Sequence, residues 1–184
     1  MHRVHVVHLR PNYPLRRGTA YGRPCICVNV TKHHIFGIKT NSNALLGLSM
    51  KVELVPLEVL RPHEEILPKK VDQLEKMTHR WNAYTKPLLI DRSTGTILDG
   101  HHRFHVAKRL ELSCVPCVFI DYLEDDLIEL DVWPNCGRES ITKQEVINAA
   151  LSGELLSPKT SRHRLSDHLP PIAVPLSRLK LPAI

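Results

Sequence analysis

The sequence lacks the features that would place it in a membrane-spanning or disulfide-bonded class. It has no run of about eighteen apolar residues that could cross a bilayer. Its N-terminus has no apolar stretch followed by a small-residue cleavage site, so we expect no secretory signal. The five cysteines are an odd number with irregular spacing. That pattern fits a reducing cytoplasm better than a disulfide framework, and we therefore expect a cytoplasmic protein.

Acidic residues are absent from positions 1–49, which carry seven Lys and Arg residues. Because the whole chain has 25 basic and 19 acidic residues, the remainder holds 18 basic against 19 acidic ones. The net charge of +6 therefore belongs to one segment. Long-range attraction to nucleic acid needs basic residues clustered on the folded body. The sequence gives only weak support for a nucleic-acid partner.

The character of the sequence changes at Met50. Residues 1–49 show no sustained period, whereas residues 50–56 alternate as a strand does. Two interpretations of residues 1–49 stay open: a basic, partly disordered extension that binds an acidic partner, or codons upstream of a true start at Met50. We expect residues 50–168 to form one domain and the proline-rich residues 169–184 to form a tail over its surface.

From residue 50 onward, strands and helices alternate irregularly. One helix is predicted from the spacing of Val71, Leu74, Met77 and Trp81, and another from Thr142, a candidate N-cap. The predicted strands are 52–56, 87–90, 96–98, 115–120 and 127–133, and the predicted helices are 69–82, 101–110 and 142–152.

The first stretch suited to chemistry is Leu98-Asp99-Gly100-His101-His102-Arg103. A strand ends there, a glycine frees the backbone, and a helix begins. A helix N-terminus presents unpaired N–H groups and the positive end of the helix dipole, and a guanidinium matches the geometry of phosphate. We predict an anion site at this turn. The alternative is a helix start whose polar residues face water.

The second stretch is Leu156-Ser157-Pro158-Lys159-Thr160-Ser161-Arg162-His163. It gathers hydroxyls, two cations and an imidazole beyond the third helix. Hydroxyls and backbone amides bond phosphate oxygens, and Lys and Arg neutralise them. The stretch lacks the glycines of a Walker A loop, and by itself it would be a solvated basic loop. The anion turn elsewhere in the chain favours phosphate binding here too.

Glu64 and Asp99 are the acidic candidates. The Glu64 carboxylate, with Glu65 beside it, could take the proton from a hydroxyl nucleophile. Asp99 could share that work or help to hold a magnesium ion. A single carboxylate in a turn is more often only solvated, so these roles depend on the two stretches lying nearby.

Two apparent metal or redox signals are discounted. Cys114 and Cys117 are three apart in a predicted strand, where they point to opposite faces, so we expect buried thiols. His101 and His105 are four apart on a predicted helix, but the glutamate of the protease pattern and a third ligand are missing. We therefore predict no metal site built by the protein alone.

Together, these stretches resemble the ParB N-terminal/sulfiredoxin superfamily and, more narrowly, its free L-serine kinases. The 98–103 turn resembles the G-x-x-R turn of the superfamily. Arg61-Pro62-His63-Glu64 and the S-P-K-T-[ST]-R-H pattern at 157–163 are narrower matches. The resemblance covers about residues 51–168. It implies an α+β fold, with a small mixed sheet and flanking helices, and transfer of a phosphoryl group from ADP or ATP to the hydroxyl of free L-serine, giving O-phospho-L-serine.

The resemblance also implies a role for each matching residue. Glu64 would be the general base and Asp99 an essential acidic partner. Trp133 would line the serine pocket, and magnesium would accompany the nucleotide. The transferred phosphate would be held by Gly100, His101, His102 and Arg103. The nucleotide phosphates, and in part the substrate, would be bound by Ser157, Lys159, Thr160, Ser161, Arg162 and His163.

Two features depart from the family pattern. Only about two dozen residues separate Trp133 from Ser157, where the archaeal kinase of this type has a longer segment. The shorter segment could change nucleotide choice or leave a binding module without catalysis. His101 stands where sulfiredoxins have a reactive cysteine, which argues against their chemistry. The alternative function is therefore a ParB-like nucleotide-sensing or DNA-binding regulatory module. The phosphate donor, the oligomeric state and whether phosphoserine feeds cysteine synthesis stay open.

Overall fold

The structure is a computed structural model that describes residues 50–126, 128–166 and 168–181. Both interpretations of residues 1–49 lie outside these ranges. Within the described ranges, no helix is long and apolar enough to cross a bilayer.

A four-stranded mixed sheet forms the centre of the domain, with the strand order β1-β5-β3-β4. The strands are β1 (Val52–Pro56), β3 (Leu88–Asp91), β4 (Ile97–Asp99) and β5 (Cys114–Ile120). The outer pairs are antiparallel, and the central β3–β5 pair is parallel. A parallel pair needs a crossover connection, which β4 and α2 (His101–Arg109) supply. Four of the predicted strands are thereby confirmed.

Both faces of the central strands are buried, which is why β3 and β5 read as nearly continuous apolar runs, whereas the edge strand β1 alternates. Leu88 and Ile90 face one core cluster, and Leu89 faces the other. The first cluster includes side chains of α1 (Pro68–Trp81) and α2. The second includes those of α3 (Lys143–Ser152) and of the ribbon formed by β6 (Ile128–Val132) and β7 (Ser161–Leu165). The predicted α+β arrangement, a small mixed sheet with flanking helices, is confirmed.

The first predicted helix exists, but it buries a different stripe from the predicted one. Val71 and Thr78 of α1 are buried, whereas Met77 and Trp81 are 45% and 47% exposed. Thr78 can face the core because its hydroxyl donates a hydrogen bond to the carbonyl of Leu74 at 2.8 Å. A hydroxyl that makes a hydrogen bond costs little to bury. Because a polar residue occupies this buried position, the spacing of apolar residues does not reveal the buried face of the helix.

The helix α3 begins as its sequence predicts. The Thr142 hydroxyl accepts a hydrogen bond from the backbone N–H of Glu145, and the Glu145 carboxylate accepts one from the backbone N–H of Thr142. This capping box satisfies two otherwise unpaired donors. The helix ends at Gly153, whose φ of +80° is the left-handed conformation common at that position.

The C-terminal segment differs from the predicted surface tail. A short strand, β8 (Val174–Pro175), pairs with β2 (Ala83–Tyr84), and a helical turn, α4 (Leu176–Leu179), follows it. Leu176 and Leu179 are buried in the first core cluster. The prediction of a tail draped over the surface is therefore wrong for this part of the chain. Two leucines three positions apart are buried, and the prolines around them hide this helical spacing in the sequence. A single 3₁₀ turn, Leu57–Val59, completes the described elements.

Candidate active site

The end of β4 and the start of α2 form a tight turn at residues 99–103, called here the α2 turn. Gly100 has a φ of +111°, which side-chain-bearing residues rarely adopt. It stands at the N-cap with no side-chain cap, and its carbonyl accepts the N–H of Phe104 at 2.9 Å. Glycine has no side chain that could cap the first N–H groups of α2. These N–H groups therefore stay available to a bound anion.

The turn that contains Glu64 bridges the two stretches singled out in the sequence. Arg61 pairs with Thr96, just ahead of β4, and Glu64 pairs with Leu156, at the start of the 157–163 segment. Both are parallel bridges outside the regular strands. Backbone hydrogen bonds from Glu65 N–H to the carbonyl of Leu156 and from Leu156 N–H to the carbonyl of His63 thus join residues more than 90 positions apart.

The carboxylate of Glu64 is bound by the backbone of the 157–163 segment. Its Oε1 accepts the N–H of Lys159 at 2.7 Å. Its Oε2 accepts the N–H groups of Thr160 and Ser161 at 3.1 and 2.9 Å and the Ser161 hydroxyl at 2.9 Å. Lys159 has a φ of +61°, and successive N–H groups in such a turn converge on one anion. In this structure that anion is the carboxylate of Glu64, whereas the sequence predicted nucleotide phosphates.

His63 lies at the centre of the site and is completely buried. Its Nδ1 is 2.7 Å from the carbonyl oxygen of Ile97, and its Nε2 is 2.7 Å from the Ser161 hydroxyl. Its ring makes edge contacts with His101 and His163, at centroid distances of 4.5 and 5.6 Å. Burial lowers the pKa of His63 to about 4, so the imidazole is neutral near pH 7.

The two neighbouring imidazoles also have partners inside the protein. The Nε2 of His101 accepts the backbone N–H of His63 at 3.3 Å. The Nε2 of His163 is 2.8 Å from the hydroxyl of Tyr122. Burial lowers the pKa of His101 far below its usual value and that of His163 to about 3. Both side chains therefore act as neutral packing and hydrogen-bonding groups in this state.

We predict that acid destabilises the domain because these imidazoles are buried in the neutral form. The unfolded chain binds a proton at His63 below about pH 6.5, whereas the folded protein does so only near pH 4. The free energy of unfolding should therefore fall by up to about 1.4 kcal/mol per pH unit for this residue between those values. Urea titrations at several pH values would measure the slope. His63→Asn should reduce the slope by the contribution of this one imidazole, and replacement of the exposed His79 by Gln should leave it unchanged. Equal slopes in all three proteins would contradict the prediction.

Asp99 and Arg103 form an ion pair across the α2 turn. The Nη2 of Arg103 donates to the Asp99 carboxylate at 3.1 Å and to the carbonyl of Pro87 at 3.2 Å. The Nζ of Lys86 lies 3.5 Å from the same carboxylate. Burial alone would raise the pKa of Asp99, but the two cations outweigh it and lower that pKa. The buried Nε of Arg103 has no hydrogen-bond partner among the described residues.

Charged side chains from both predicted stretches lower the pKa of one imidazole, that of His102. Its Nε2 accepts the backbone N–H of Leu67, just ahead of α1, at 3.2 Å. Its pKa is lowered first by burial and then by the charges of Lys70, Arg103 and Lys159. The charges of Arg103 and Lys159 therefore both lie within electrostatic reach of the His102 ring.

Trp133 lies against the 157–163 segment. The Nζ of Lys159 and the guanidinium of Arg162 are 5.4 and 4.8 Å from its ring centroid, within the range of cation–π attraction. Its backbone N–H donates to the carbonyl of Thr160 at 3.2 Å. The ring is 36% exposed, so one part of it is open to a ligand.

The remaining candidates in this segment have structural partners. The Thr160 hydroxyl donates to the carbonyl of Ser157 at 2.8 Å, and Thr160 and Ser161 are both buried. The strand β7 starts at Ser161, which the sequence did not predict because the polar run Ser161–Arg164 hides the alternation of a strand.

Three residues near the site received no functional role from the sequence: His63, Lys86 and Tyr122. His63 adjoins Glu64, and a histidine next to a candidate base was the available signal. Lys86 contacts Asp99, and Tyr122 contacts His163, across 13 and 41 positions. No local pattern reports contacts over such distances.

The two cysteines and the candidate metal ligands can now be placed in the structure. Cys114 and Cys117 are buried free thiols in β5, as predicted. Among residues 50–126, 128–166 and 168–181, no three His, Cys, Asp or Glu side chains gather in a way that could hold a metal ion.

The domain has the fold of the free serine kinases. A solved structure of a free serine kinase in complex with AMP matches it with a TM-score of 0.63, over 68% of this chain and 92% of the other, at 19% identity. SbnI from Staphylococcus aureus, truncated at its C-terminus, matches with a TM-score of 0.59, over 70% of this chain and 89% of the other, at 14% identity. At these identities the likeness establishes the class of fold.

The sequence is similar to curated L-serine kinases and to a ParB-like protein. It is 32% identical over 84 residues to the ATP-dependent L-serine kinase of Desulfurococcus mucosus, covering 44% of this chain and 32% of that one. It is 29% identical over 77 residues to the ADP-dependent L-serine kinase SerK of Thermococcus kodakarensis, covering 40% and 32%. The ParB-like protein of Sulfolobus acidocaldarius is 31% identical over 83 residues, covering 45% and 41%.

The resemblance to the free L-serine kinases and to ParB-like proteins is thereby confirmed. The match spans less than half the length of each of these curated relatives. No family model matches the chain.

Proposed function

We propose that this chain is a kinase that transfers a phosphoryl group from ATP or ADP to the hydroxyl of free L-serine, giving O-phospho-L-serine. The observation that carries the proposal is the position of the Glu64 carboxylate. Its oxygens accept hydrogen bonds from residues 159–161, and Lys159 of that segment and Arg103 of the α2 turn both lower the pKa of His102. Phosphoryl transfer needs positioned reactants, neutralised charge and a base rather than covalent help from the protein.

Glu64 acts as the general base in this proposal. Its Oε2 accepts three hydrogen bonds, whereas its Oε1 accepts one, from Lys159. Oε1 is therefore the less saturated of the two oxygens and would accept the hydrogen bond of the substrate hydroxyl. The side chain is also partly exposed. The hydroxyl of serine would give its proton to Oε1 as its oxygen attacks the terminal phosphorus of the nucleotide.

The phosphates would be bound by the backbone N–H groups of the α2 turn together with Arg103 and Lys159. Asp99 would serve as the acidic partner by holding Arg103 in place, which agrees with their ion pair. Trp133 and Arg162 would form a wall of the serine pocket. His101 and the amides of residues 159–161 would act indirectly, because their hydrogen bonds are made within the chain.

Magnesium fits this site only as a companion of the nucleotide. Asp99, the residue considered as a possible ligand, is paired with two cations, and the described residues offer no cluster of ligand side chains. We propose that the ion arrives on the nucleotide phosphates and neutralises their charge there. No step is assigned to it.

A ParB-like nucleotide-sensing or DNA-binding module is the second candidate. It is favoured by the similarity to the ParB-like protein of Sulfolobus acidocaldarius and by the basic residues within positions 1–49. The same phosphate-binding groups would then hold a nucleotide without transfer to serine.

Incubation of the full chain with L-serine, Mg²⁺ and either ATP or ADP separates the two candidates. We expect phosphoserine, detected by mass spectrometry, with at least one nucleotide. L-alanine, which lacks the hydroxyl, is the control and should give no phosphorylated product. Absence of phosphoserine with both nucleotides, together with measurable DNA affinity, would favour the regulatory module.

A further inference from the structure

Lys86 brings a second cation to the carboxylate of Asp99 in the α2 turn. Its Nζ lies 3.5 Å from the Oδ2 of Asp99, and the Nη2 of Arg103 lies 3.1 Å from the same oxygen. Two cationic groups from different parts of the chain therefore meet at one carboxylate oxygen, directly ahead of Gly100, the N-cap of α2. The proposed kinase function has so far used Arg103 and left Lys86 without a role.

The charges at this turn do not cancel. Burial would raise the pKa of Asp99, but the positive charges of Arg103 and Lys86 outweigh it and lower that pKa, so the carboxylate is ionised near pH 7. Arg103 balances this negative charge through a direct hydrogen bond, and the ammonium of Lys86 is therefore in excess. The side chains of Lys86 and Asp99 are 49% and 46% exposed, and an ion pair between exposed partners contributes little to stability. Stability alone is thus a weak reason for a second cation here.

The backbone on both sides of Lys86 is held in place. The Tyr84 hydroxyl donates a hydrogen bond to the carbonyl of Arg103, and the Thr85 carbonyl accepts a backbone N–H of the C-terminal segment at 3.1 Å. On the other side, the Pro87 carbonyl accepts a hydrogen bond from the Arg103 guanidinium at 3.2 Å. The half-exposed side chain of Lys86 therefore extends to the α2 turn from a fixed stretch of backbone.

We propose that Lys86 binds the phosphoryl group that is transferred, together with Arg103 and the first N–H groups of α2. An ammonium has three donors, and the 3.5 Å contact with Asp99 is longer than a usual charge-assisted hydrogen bond, so phosphate oxygens can compete for those donors. Asp99 orients both cations and is a positioning residue for them. The inference rests on the proposed kinase function, since it adds a residue to the phosphate site of that function.

A cation at this position contacts the same phosphate before and after transfer. The terminal phosphate of the donor nucleotide becomes the phosphate of O-phospho-L-serine. The nucleotide that remains is one phosphate shorter and lacks this group, and free L-serine lacks it too. The affinities for ligands with and without the transferred phosphate therefore report whether Lys86 binds it.

Isothermal titration calorimetry of the full chain with AMP, ADP and ATP, in the presence of Mg²⁺ and without serine, tests the proposal. Lys86→Gln should weaken binding of the donor nucleotide about 10-fold, the usual effect of losing one hydrogen bond to a charged group. Binding of the nucleotide one phosphate shorter should stay within about twofold of the wild type. The shortest nucleotide that loses affinity is then the donor. Unchanged affinity for both ADP and ATP, or a loss that extends to AMP, would overturn the proposal.

Lys86→Arg and Lys51→Gln are the matched variants. Lys86→Arg keeps the positive charge and should bind each nucleotide within about threefold of the wild type. Lys51 also pairs with a carboxylate, that of Glu53 at 3.3 Å, and is partly exposed. It precedes β1, at the edge of the sheet opposite to β4, so Lys51→Gln removes the same charge away from the α2 turn and should leave every affinity unchanged. Equal losses in Lys51→Gln and Lys86→Gln would reflect net charge and would contradict the proposal.

The product provides an independent titration. Binding of O-phospho-L-serine to Lys86→Gln should be about 10-fold weaker than to the wild type, whereas binding of L-serine should not change. Weakened nucleotide binding with unchanged phosphoserine binding would place Lys86 at a phosphate that is not transferred, and it would overturn the assignment. If the wild-type chain forms no phosphoserine, the proposed function fails, and the nucleotide titrations still decide whether Lys86 binds a terminal phosphate.

Discussion

Replacing Glu64 by glutamine is expected to lower kcat for phosphoserine formation by about 10²- to 10⁴-fold, the usual contribution of a general base. The amide cannot take the proton of the serine hydroxyl. Its NH₂ group would also face backbone N–H groups where an acceptor is needed, since both carboxylate oxygens accept hydrogen bonds from residues 159–161. We therefore also expect a loss of about 1–3 kcal/mol in the free energy of unfolding.

The two effects can be separated by matched variants. Glu65→Gln changes the neighbouring exposed carboxylate and should leave kcat and stability nearly unchanged. Glu64→Asp keeps a base but shortens the side chain, so it should retain more activity than Glu64→Gln while loosening the 157–163 segment to a similar degree. Steady-state kinetics and urea unfolding measure both quantities. Activity of Glu64→Gln within about fivefold of the wild type would show that Glu64 is not the base.

Replacing Gly100 by alanine is expected to disrupt the α2 turn. Gly100 has a φ of +111°, and an added Cβ would lie 2.9 Å from both the Nη2 of Arg103 and the Cγ of Leu88. Backbone strain and crowding together should cost about 3 kcal/mol in the free energy of unfolding. The folded fraction should also lose about 100-fold in kcat/KM, because displacement of Arg103 by a fraction of an ångström disturbs the phosphate site.

Gly137 provides the control for this prediction. It also has a positive φ, of +80°, but an added Cβ would meet nothing within 4 Å. Gly137→Ala should therefore show the backbone strain alone, about 1 kcal/mol, with unchanged kinetics. Equal losses of stability in the two variants, or normal kcat/KM in Gly100→Ala, would mean that crowding at Arg103 is unimportant.

Local sequence signals were sufficient for the elements that make up the α2 turn. A short strand followed by Asp99-Gly100 predicted where β4 ends and α2 begins, and Thr142 predicted the start of α3. These features depend on backbone preference and on hydrogen bonds between residues three or four apart. For that reason these features can be predicted from a single sequence, without comparison to others.

The arrangement of the site depends on contacts that no local pattern encodes. The sequence identified the 157–163 segment but assigned its amides to phosphate, because nothing in it shows that Glu64, about 95 positions earlier, reaches them. The burial of His63 was likewise not visible, since an imidazole beside a candidate base looks the same whether exposed or buried. The packing of Leu176 and Leu179 was missed because prolines interrupt the periodic signal before them.

The most direct test of the account is whether the phosphoryl group reaches the serine oxygen. Phosphorus-31 NMR of the full chain with L-serine, Mg²⁺ and ATP or ADP follows every phosphorus atom at once. A phosphomonoester signal of phosphoserine should grow as the terminal phosphate signal of one nucleotide declines. Growth of inorganic phosphate alone, or no change with either nucleotide, would contradict it.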